Sequence, residues 1–204
     1  MSRVPAALAV LMLTISPAAW SDLHIVSEVS TSPTEKIIVE QWLGDTLGYR
    51  RQGDIAYLTD LKDRQLLLID HDQRTVTRYV LVDPEPLGAF QFEAEQTGRS
   101  DKVGKWQATE YRVTDSRQPG VTYLIWSTAD APHLNDLYRK FVRQVPGGDA
   151  ITMSLGSMEG FPVKIETVIE APEGMQNIIT QVVTAEIKEP PRGIYEIPKG
   201  YYLD

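Results

Sequence analysis

The segment 176–187, QNIITQVVTAEI, decides the fold class. Its side chains alternate between two faces as in a β-strand, and both faces are aliphatic: Ile178 and Val182 lie on one face, and Ile179, Val183 and Ile187 on the other. A strand that is apolar on both faces needs cover on both sides. We therefore predict that this strand is central in a sheet or sandwiched between layers.

Period-two alternation also runs through most of the chain before this segment. It predicts about ten strands, at 23–29, 36–43, 54–59, 65–70, 75–83, 90–97, 105–114, 121–128, 163–169 and 176–187. Gly-, Pro- and Asp-rich stretches separate the strands, and residues 98–104 are interpreted as a polar turn. Strands joined by short hairpins predict an antiparallel sheet, and a sheet of this size does not stay flat.

One segment has the period of an α-helix instead. Its apolar stripe is formed by Leu134, Leu137, Tyr138, Phe141, Val142 and Val145. Residues 130–132 start the helix and Pro146 stops it, while Asn135, Asp136 and Arg139 belong to the polar face. The sequence therefore predicts a mainly β fold: a curled antiparallel sheet, or incomplete β-barrel, with one amphipathic helix packed against it, in a single domain over 22–204.

The first 21 residues have the pattern of a secretory signal peptide. Arg3 precedes an apolar run at 6–15, and the small residues Ala19 and Ser21 predict cleavage after Ser21. The alternative is a membrane anchor, but the run is about half of the roughly 20 residues that span a bilayer. No other long apolar run follows, so we expect an exported mature chain without a transmembrane segment.

Composition excludes several functional classes. The 204 residues include 20 basic and 28 acidic ones, a net charge of -8, which repels nucleic-acid phosphates and anionic lipid surfaces. The chain has no cysteine, which rules out disulfides, thiolate metal sites, a cysteine nucleophile and a lipid-modified N-terminal cysteine. Nucleic acid is therefore not an expected partner.

Four groups of residues carry a family resemblance: Leu66-Leu67-Leu68-Ile69-Asp70 leading to 75–79, Thr97-Gly98 with Val103-Gly104-Lys105-Trp106 and Tyr111, Gly160-Phe161-Pro162-Val163, and Tyr195-Glu196-Ile197-Pro198-Lys199-Gly200-Tyr201. Their order and spacing resemble a family of secreted bacterial domains of unknown function. That family is similar to the periplasmic lipoprotein-carrier (LolA/LolB-like) superfamily. The resemblance implies an incomplete barrel that holds helices on its concave side, a Gram-negative periplasmic location and, in the carriers, an apolar face that takes up acyl chains.

A sheet curled around one helix can enclose an apolar cleft. We predict that Trp42, Trp126, Leu137 and Phe141 line this cleft, the alternative being that they are ordinary core. The segment 147–160 contains Met153 and Met158 and is interpreted either as a flap over the cleft or as a disordered loop.

Motifs for catalysis, cofactors or metals are weak. Asp70-His71-Asp72 combines metal-ligating residue types, but adjacent strand residues point apart, and a hairpin turn is the preferred interpretation. Residues 156–160 lack the spacing of a nucleophile elbow, and Glu166 and Glu170 are interpreted as a solvated strand face. We expect no catalytic, cofactor or metal site.

These observations favour a periplasmic, non-enzymatic binding protein that holds a lipid, an acyl chain or another apolar ligand between sheet and helix. The alternative is an envelope protein-interaction, sensor or assembly module with a filled core and no small ligand. A hydrolase is the third possibility, for which the sequence offers no convergent carboxylates or triad.

Overall fold

A computed structural model of the chain describes residues 21–82 except 33, 92–146 except 117, 155, and 158–203 except 173. The predicted signal peptide, residues 1–21, lies outside this part apart from Ser21, so its cleavage stays a prediction. Among the residues described, no helix is long and apolar enough to span a membrane.

The described chain forms twelve strands and one helix. The strands are β1 (Asp22–Ser30), β2 (Lys36–Leu43), β3 (Leu47–Gln52), β4 (Ile55–Asp60), β5 (Gln65–Asp70), β6 (Thr75–Val80), β7 (Phe92–Val103), β8 (Trp106–Asp115), β9 (Val121–Thr128), β10 (Phe161–Ala171), β11 (Gly174–Lys188) and β12 (Tyr202–Leu203). The helix α1 spans Pro132–Val142 and follows β9.

All twelve strands belong to one curled sheet that does not close. Their order is β12-β6-β5-β4-β3-β2-β1-β11-β10-β9-β8-β7, and every neighbouring pair is antiparallel except β12 with β6. The segment 176–187 lies within β11, between β1 and β10, which confirms its predicted central position. The mainly β fold with one helix is also confirmed, with twelve strands instead of about ten: β3 and β12 were missed.

The predicted turn over residues 98–104 is wrong. β7 continues through this region to Val103, and its register against β8 shifts between Gln96 and Ser100. Gly98 lies there with φ 80°, a left-handed backbone conformation that glycine adopts without steric cost. An irregularity of this kind keeps a polar, glycine-containing stretch inside a strand.

The helix α1 follows the predicted stripe. Pro132 occupies its first turn, where a missing backbone N–H costs nothing. The positive charges of Arg139 and Lys140 in its last turn interact favourably with the negative end of the helix dipole. Leu134 and Phe141 are buried as expected. Asn135 is also buried, although the sequence assigned it to the polar face, and its Oδ1 has no hydrogen-bond partner among the described residues.

Both faces of the sheet are covered along β1 to β3. Adjacent strand residues point to opposite faces, so Leu43 and Leu23 pack in the cluster under α1, while Trp42 belongs to a second cluster on the other side. We call these sides the helix face and the outer face. Residues 189–201, the C-terminal segment, cover the outer face through Ile194, Tyr195 and Tyr201.

A register shift corrects one face assignment within β11. The pairing of β1 with β11 passes from Ser27–Val182 to Val26–Thr184, so Val183 is the extra residue. An extra residue inverts the alternation beyond it. Ile187, which pairs with Leu23, therefore shares the face of Val182 and not that of Val183 as predicted.

Candidate functional site

A small cavity lies between α1 and the helix face of the sheet. Its volume is about 60 Å³. The helix contributes Tyr138, and strands β1, β2, β10 and β11 contribute the remaining lining residues: Ile25, Ser27, Gln41, Phe161, Pro162, Val163, Lys164, Ile165, Thr180 and Val182. The lining is mainly apolar, and its polar side chains include neither a histidine nor a carboxylate. Such a lining suits an apolar group.

The structure brings together three of the four residues predicted to line a cleft. Trp126, Leu137 and Phe141 belong to or pack against the cluster under α1, whereas Trp42 lies in the outer cluster with 2% of its surface exposed. The cavity touches none of the four. The expected location between sheet and helix thus contains a cavity, while ligand contact by these particular residues stays a prediction.

Trp42 is held on the outer face by polar neighbours. Its indole N–H donates to Glu40 Oε1 at 3.0 Å, and the His24 ring lies against it with centroids 4.2 Å apart. Lys188 Nζ is 5.1 Å from the ring centroid, within the range of a cation–π contact. These contacts fix Trp42 as part of the structure of the outer face.

Trp126 is also fixed by a charged neighbour. The Arg99 guanidinium lies 5.5 Å from its ring and donates to both carboxylate oxygens of Glu110, at 3.0 and 3.3 Å. Glu110 is 2% exposed and also accepts a hydrogen bond from Thr97. A buried carboxylate requires such partners. The irregular stretch of β7 therefore neutralises Glu110 and places Arg99 over Trp126.

The helix approaches β3 closely at Gly48. A Cβ atom added there would lie 2.3 Å from Phe141 Cζ, closer than real contacts allow. Gly48 therefore faces α1, and the absence of a side chain lets the Phe141 ring lie directly on the strand. Beyond this contact an exposed pair, Lys140 Nζ with Asp45 Oδ1 at 2.7 Å, joins the helix to the loop before β3.

Within the described part of the chain, the helix covers only part of its face of the sheet. Ile55 and Tyr57 on β4 and Leu66 and Leu68 on β5 point to the helix face, are only half-buried and belong to none of the three core clusters. Cross-strand pairing aligns Tyr57 with Leu68. We call these four side chains the open strip. They extend an apolar surface beyond the end of the helix.

One cation lies beside the open strip. Arg50, two residues after Gly48 on β3, pairs with Gln41 on one side and Tyr57 on the other. Its Nη2 donates to Gln52 Oε1 at 3.2 Å, and its guanidinium lies 5.9 Å from the Tyr57 ring. Burial lowers the pKa of Arg50 from its ordinary value, yet an arginine keeps its charge in proteins.

The outer face is closed by hydrogen-bonded tyrosines. Tyr195 donates to Asp22 Oδ2 at 2.6 Å, and burial together with this carboxylate raises the pKa of Tyr195. Tyr201 shares a 2.8 Å hydrogen bond with His71 Nδ1. Burial, then the positive charge of Arg51, lowers the pKa of His71.

The Asp70-His71-Asp72 sequence forms the expected hairpin turn between β5 and β6. Asp70 Oδ1 accepts backbone N–H groups from Asp72 and Gln73, so this carboxylate stabilises the turn. Across the described ranges, no group of three or more histidine or acidic side chains is placed to hold a metal ion.

The segment 147–160 is described only at residue 155 and from 158 onward, so most of the predicted flap, including Met153, lies outside the described residues. Met158 is buried in a third cluster with Leu155, Ile125 and Tyr123. It is part of the packed structure.

Comparisons with known proteins find neither a matching family model nor a matching curated protein. Among solved structures, the chain is similar to one titled "Structure of PNGF-II in C2 space group", with 10% identity, a TM-score of 0.47 and 90% of this chain covered; the chain spans 30% of that protein's length. It is also similar to the LolA superfamily protein NE2245 from Nitrosomonas europaea, with 9% identity, a TM-score of 0.33 and coverage of 89% of this chain and 92% of that one.

Sequence reasoning missed the polar part of the site. Arg50 and Gly48 lie on β3, whose sequence LGYRRQ contains one glycine and two arginines and lacks a clear apolar alternation. Period-two alternation was the signal available, because in a strand it places Leu47, Tyr49 and Arg51 on one face. The other face then carries Gly48 and Arg50.

Proposed function

We propose that this protein is a periplasmic, non-enzymatic binding protein that holds the acyl chain of an amphiphile between α1 and the helix face of the sheet. The observation that carries the proposal is that the described residues cover this face only in part. A cavity lies under Tyr138, and the open strip continues the apolar surface past the helix.

The size of the cavity indicates that binding needs movement. At about 60 Å³ it holds roughly two water molecules, whereas pockets for small ligands measure about 300 Å³ or more. Apolar side chains of α1 pack against the sheet, and the exposed ion pair of Lys140 with Asp45 contributes little to this attachment. A shift of α1 away from β10 and β11 would join the cavity to the open strip.

Burial of an acyl chain supplies the binding free energy, at about 0.8 kcal/mol for each CH₂ group. The periplasmic location in this proposal rests on the signal-peptide pattern of residues 1–21 and on the family resemblance.

Native mass spectrometry with lipid extraction tests the proposal, on full-length protein exported by a Gram-negative host and purified from its periplasm. We expect an acyl-bearing species at defined stoichiometry, or uptake of lauric acid by the apo protein. Val182→Phe fills the cavity and should weaken uptake at least about tenfold, because packed apolar sites do not tolerate extra volume.

Val183→Phe is the matched control, because Val183 neighbours Val182 but is 48% exposed and does not line the cavity. It should bind as the wild type does. A wild-type protein that stays free of ligand after incubation with lauric acid and lysophospholipids would contradict the proposal.

That result would favour the second candidate, an envelope protein-interaction module. One observation supports it: Val80 and Tyr202, on the adjacent strands β6 and β12, are 72% and 73% exposed, and Val82 and Leu203 are also exposed. Exposed apolar side chains at one sheet edge are a common feature of protein contacts.

A further inference from the structure

The position of Arg50 suggests which amphiphiles the site selects. Two independent observations place its side chain on the helix face: Gly48, two residues earlier on β3, contacts Phe141, and Gln41, its cross-strand partner, lines the cavity. Directly opposed side chains on neighbouring strands lie about 5 Å apart. Arg50 therefore lies one strand away from the cavity-lining Gln41, and its guanidinium lies beside Tyr57 of the open strip.

The charge of Arg50 is not neutralised within the described part of the chain. A guanidinium has five N–H donors, and those of Arg50 have one described acceptor, Gln52. No carboxylate among the residues described lies within 4.0 Å of it. Arg99 shows the alternative within the same molecule, since it is paired with both oxygens of Glu110.

A half-buried cation without an anion is costly to the fold, and an apolar residue of similar size is often more stable at such a position. The planar fork of arginine matches carboxylate and phosphate oxygens in a two-point hydrogen bond. The missing anion and the adjacent apolar cavity together define a ligand with a negative head and an apolar tail.

We infer that Arg50 binds the oxyanion headgroup, carboxylate or phosphate, of a single-chain amphiphile whose alkyl chain enters the cavity past Gln41. This inference rests on the proposed function and specifies its ligand class. The open strip flanks the point of entry, and the tail is buried under Tyr138. Gln52 holds the guanidinium in place by accepting from Nη2.

Equilibrium binding of four probes to the full-length exported protein tests the inference, below the concentration of micelle formation. The probes are lauric acid, lauryl phosphate, lauryl alcohol and inorganic phosphate. We expect lauric acid or lauryl phosphate to bind at least about tenfold more tightly than lauryl alcohol, because only the anionic headgroups form charge-assisted hydrogen bonds with Arg50. The tighter of the two anionic probes identifies the headgroup, and inorganic phosphate alone should not bind measurably.

Arg50→Gln should remove the preference for the anionic probes and leave the affinity for lauryl alcohol within about twofold. Arg51→Gln is the matched control: it makes the same charge change one residue away, but Arg51 is exposed on the outer face and bonds to Gly53. It should retain the full preference. Circular dichroism and thermal unfolding establish that both variants fold.

Several outcomes would overturn the inference. Equal affinity of the wild type for the anionic probes and lauryl alcohol, or an undiminished preference in Arg50→Gln, would show that the tail binds without Arg50, and the proposed function would stand. Binding of inorganic phosphate that Arg50→Gln abolishes, without a contribution from the tail, would make this a site for a free oxyanion. If no amphiphile binds, the proposed function itself fails, and the inference with it.

Discussion

The two faces of the sheet are covered in different ways. On the outer face, the C-terminal segment packs aromatic side chains against Trp42 and Tyr49 and adds buried or half-buried hydrogen bonds to Asp22 and His71. On the helix face, α1 contributes apolar packing, a ring seated on Gly48 and an ion pair at the solvent-exposed rim. Buried or half-buried hydrogen bonds thus hold the C-terminal segment, whereas the contacts described for α1 with the sheet are mainly apolar.

This difference explains why the binding site is proposed on the helix face. Hydrogen bonds to buried partners are directional, and breaking them leaves unpaired groups. Apolar contacts lose little when one surface slides a small distance across another. The cavity, the open strip and Arg50, which has no carboxylate partner among the described residues, all lie on the helix face.

The largest expected effect is at the contact between helix and sheet. Gly48→Ala places a Cβ in the Phe141 ring and should lower the free energy of unfolding by about 2 to 3 kcal/mol, because an overpacked site must shift. Hydrogen exchange should show the loss mainly in amides of α1, with β4 and β5 little changed. Phe141→Leu in the same chain should relieve part of the cost. An equal loss of hydrogen-exchange protection on both faces of the sheet would show that the two covers do not respond independently.

An intermediate effect is expected on the outer face. Tyr195→Phe removes the donor to Asp22, a carboxylate that is 9% exposed, and should cost about 1.5 kcal/mol in urea unfolding. The transition should stay cooperative, since this cover is part of the main fold. Tyr202→Phe, at a position that is 73% exposed, is the control and should change stability by less than about 0.5 kcal/mol. Equal effects of the two changes would show that the hydrogen bond from Tyr195 to Asp22 contributes little to stability.

The smallest effect is a pH dependence of the same outer cover. The pKa of His71 is lowered in the folded protein, so the unfolded chain binds more protons near its ordinary value of 6.5, and stability falls as pH decreases through that value. His71→Gln should therefore lose less stability than the wild type between about pH 7.5 and about pH 5.5. His133→Gln, at an exposed position at the start of α1, should follow the wild type. Parallel pH profiles for all three proteins would show that His71 does not report on the outer face.

The sequence predicted most of the strands and the helix because their patterns are local. β2 spans 36–43 as expected, and α1 has the anticipated stripe of Leu134 and Phe141. The assignment of Trp42 and Leu43 to opposite faces was not resolved, because both are large and apolar and only pairing with His24 and Leu23 decides which one meets the helix. β3 lacked an apolar pattern and was missed, and with it Gly48 and Arg50. The proposed site depends on those two residues. The sequence indicated the space between sheet and helix, where the cavity lies, but not the polar component of the proposed site.

The strand order constrains when the sheet can form. Strands β1 to β6 are neighbours in chain order, as are β7 to β11, with α1 in the connection between β9 and β10. The two blocks meet through β1 and β11, where Leu23 pairs with Ile187. This junction joins the start of the described chain to its last long strand, so it closes only after a large loop has been ordered. Residues 174–188 must be available before the two blocks can become one sheet. A chain synthesised from its N-terminal end would therefore complete its fold late, because one edge of β1 has no partner until β11 is available.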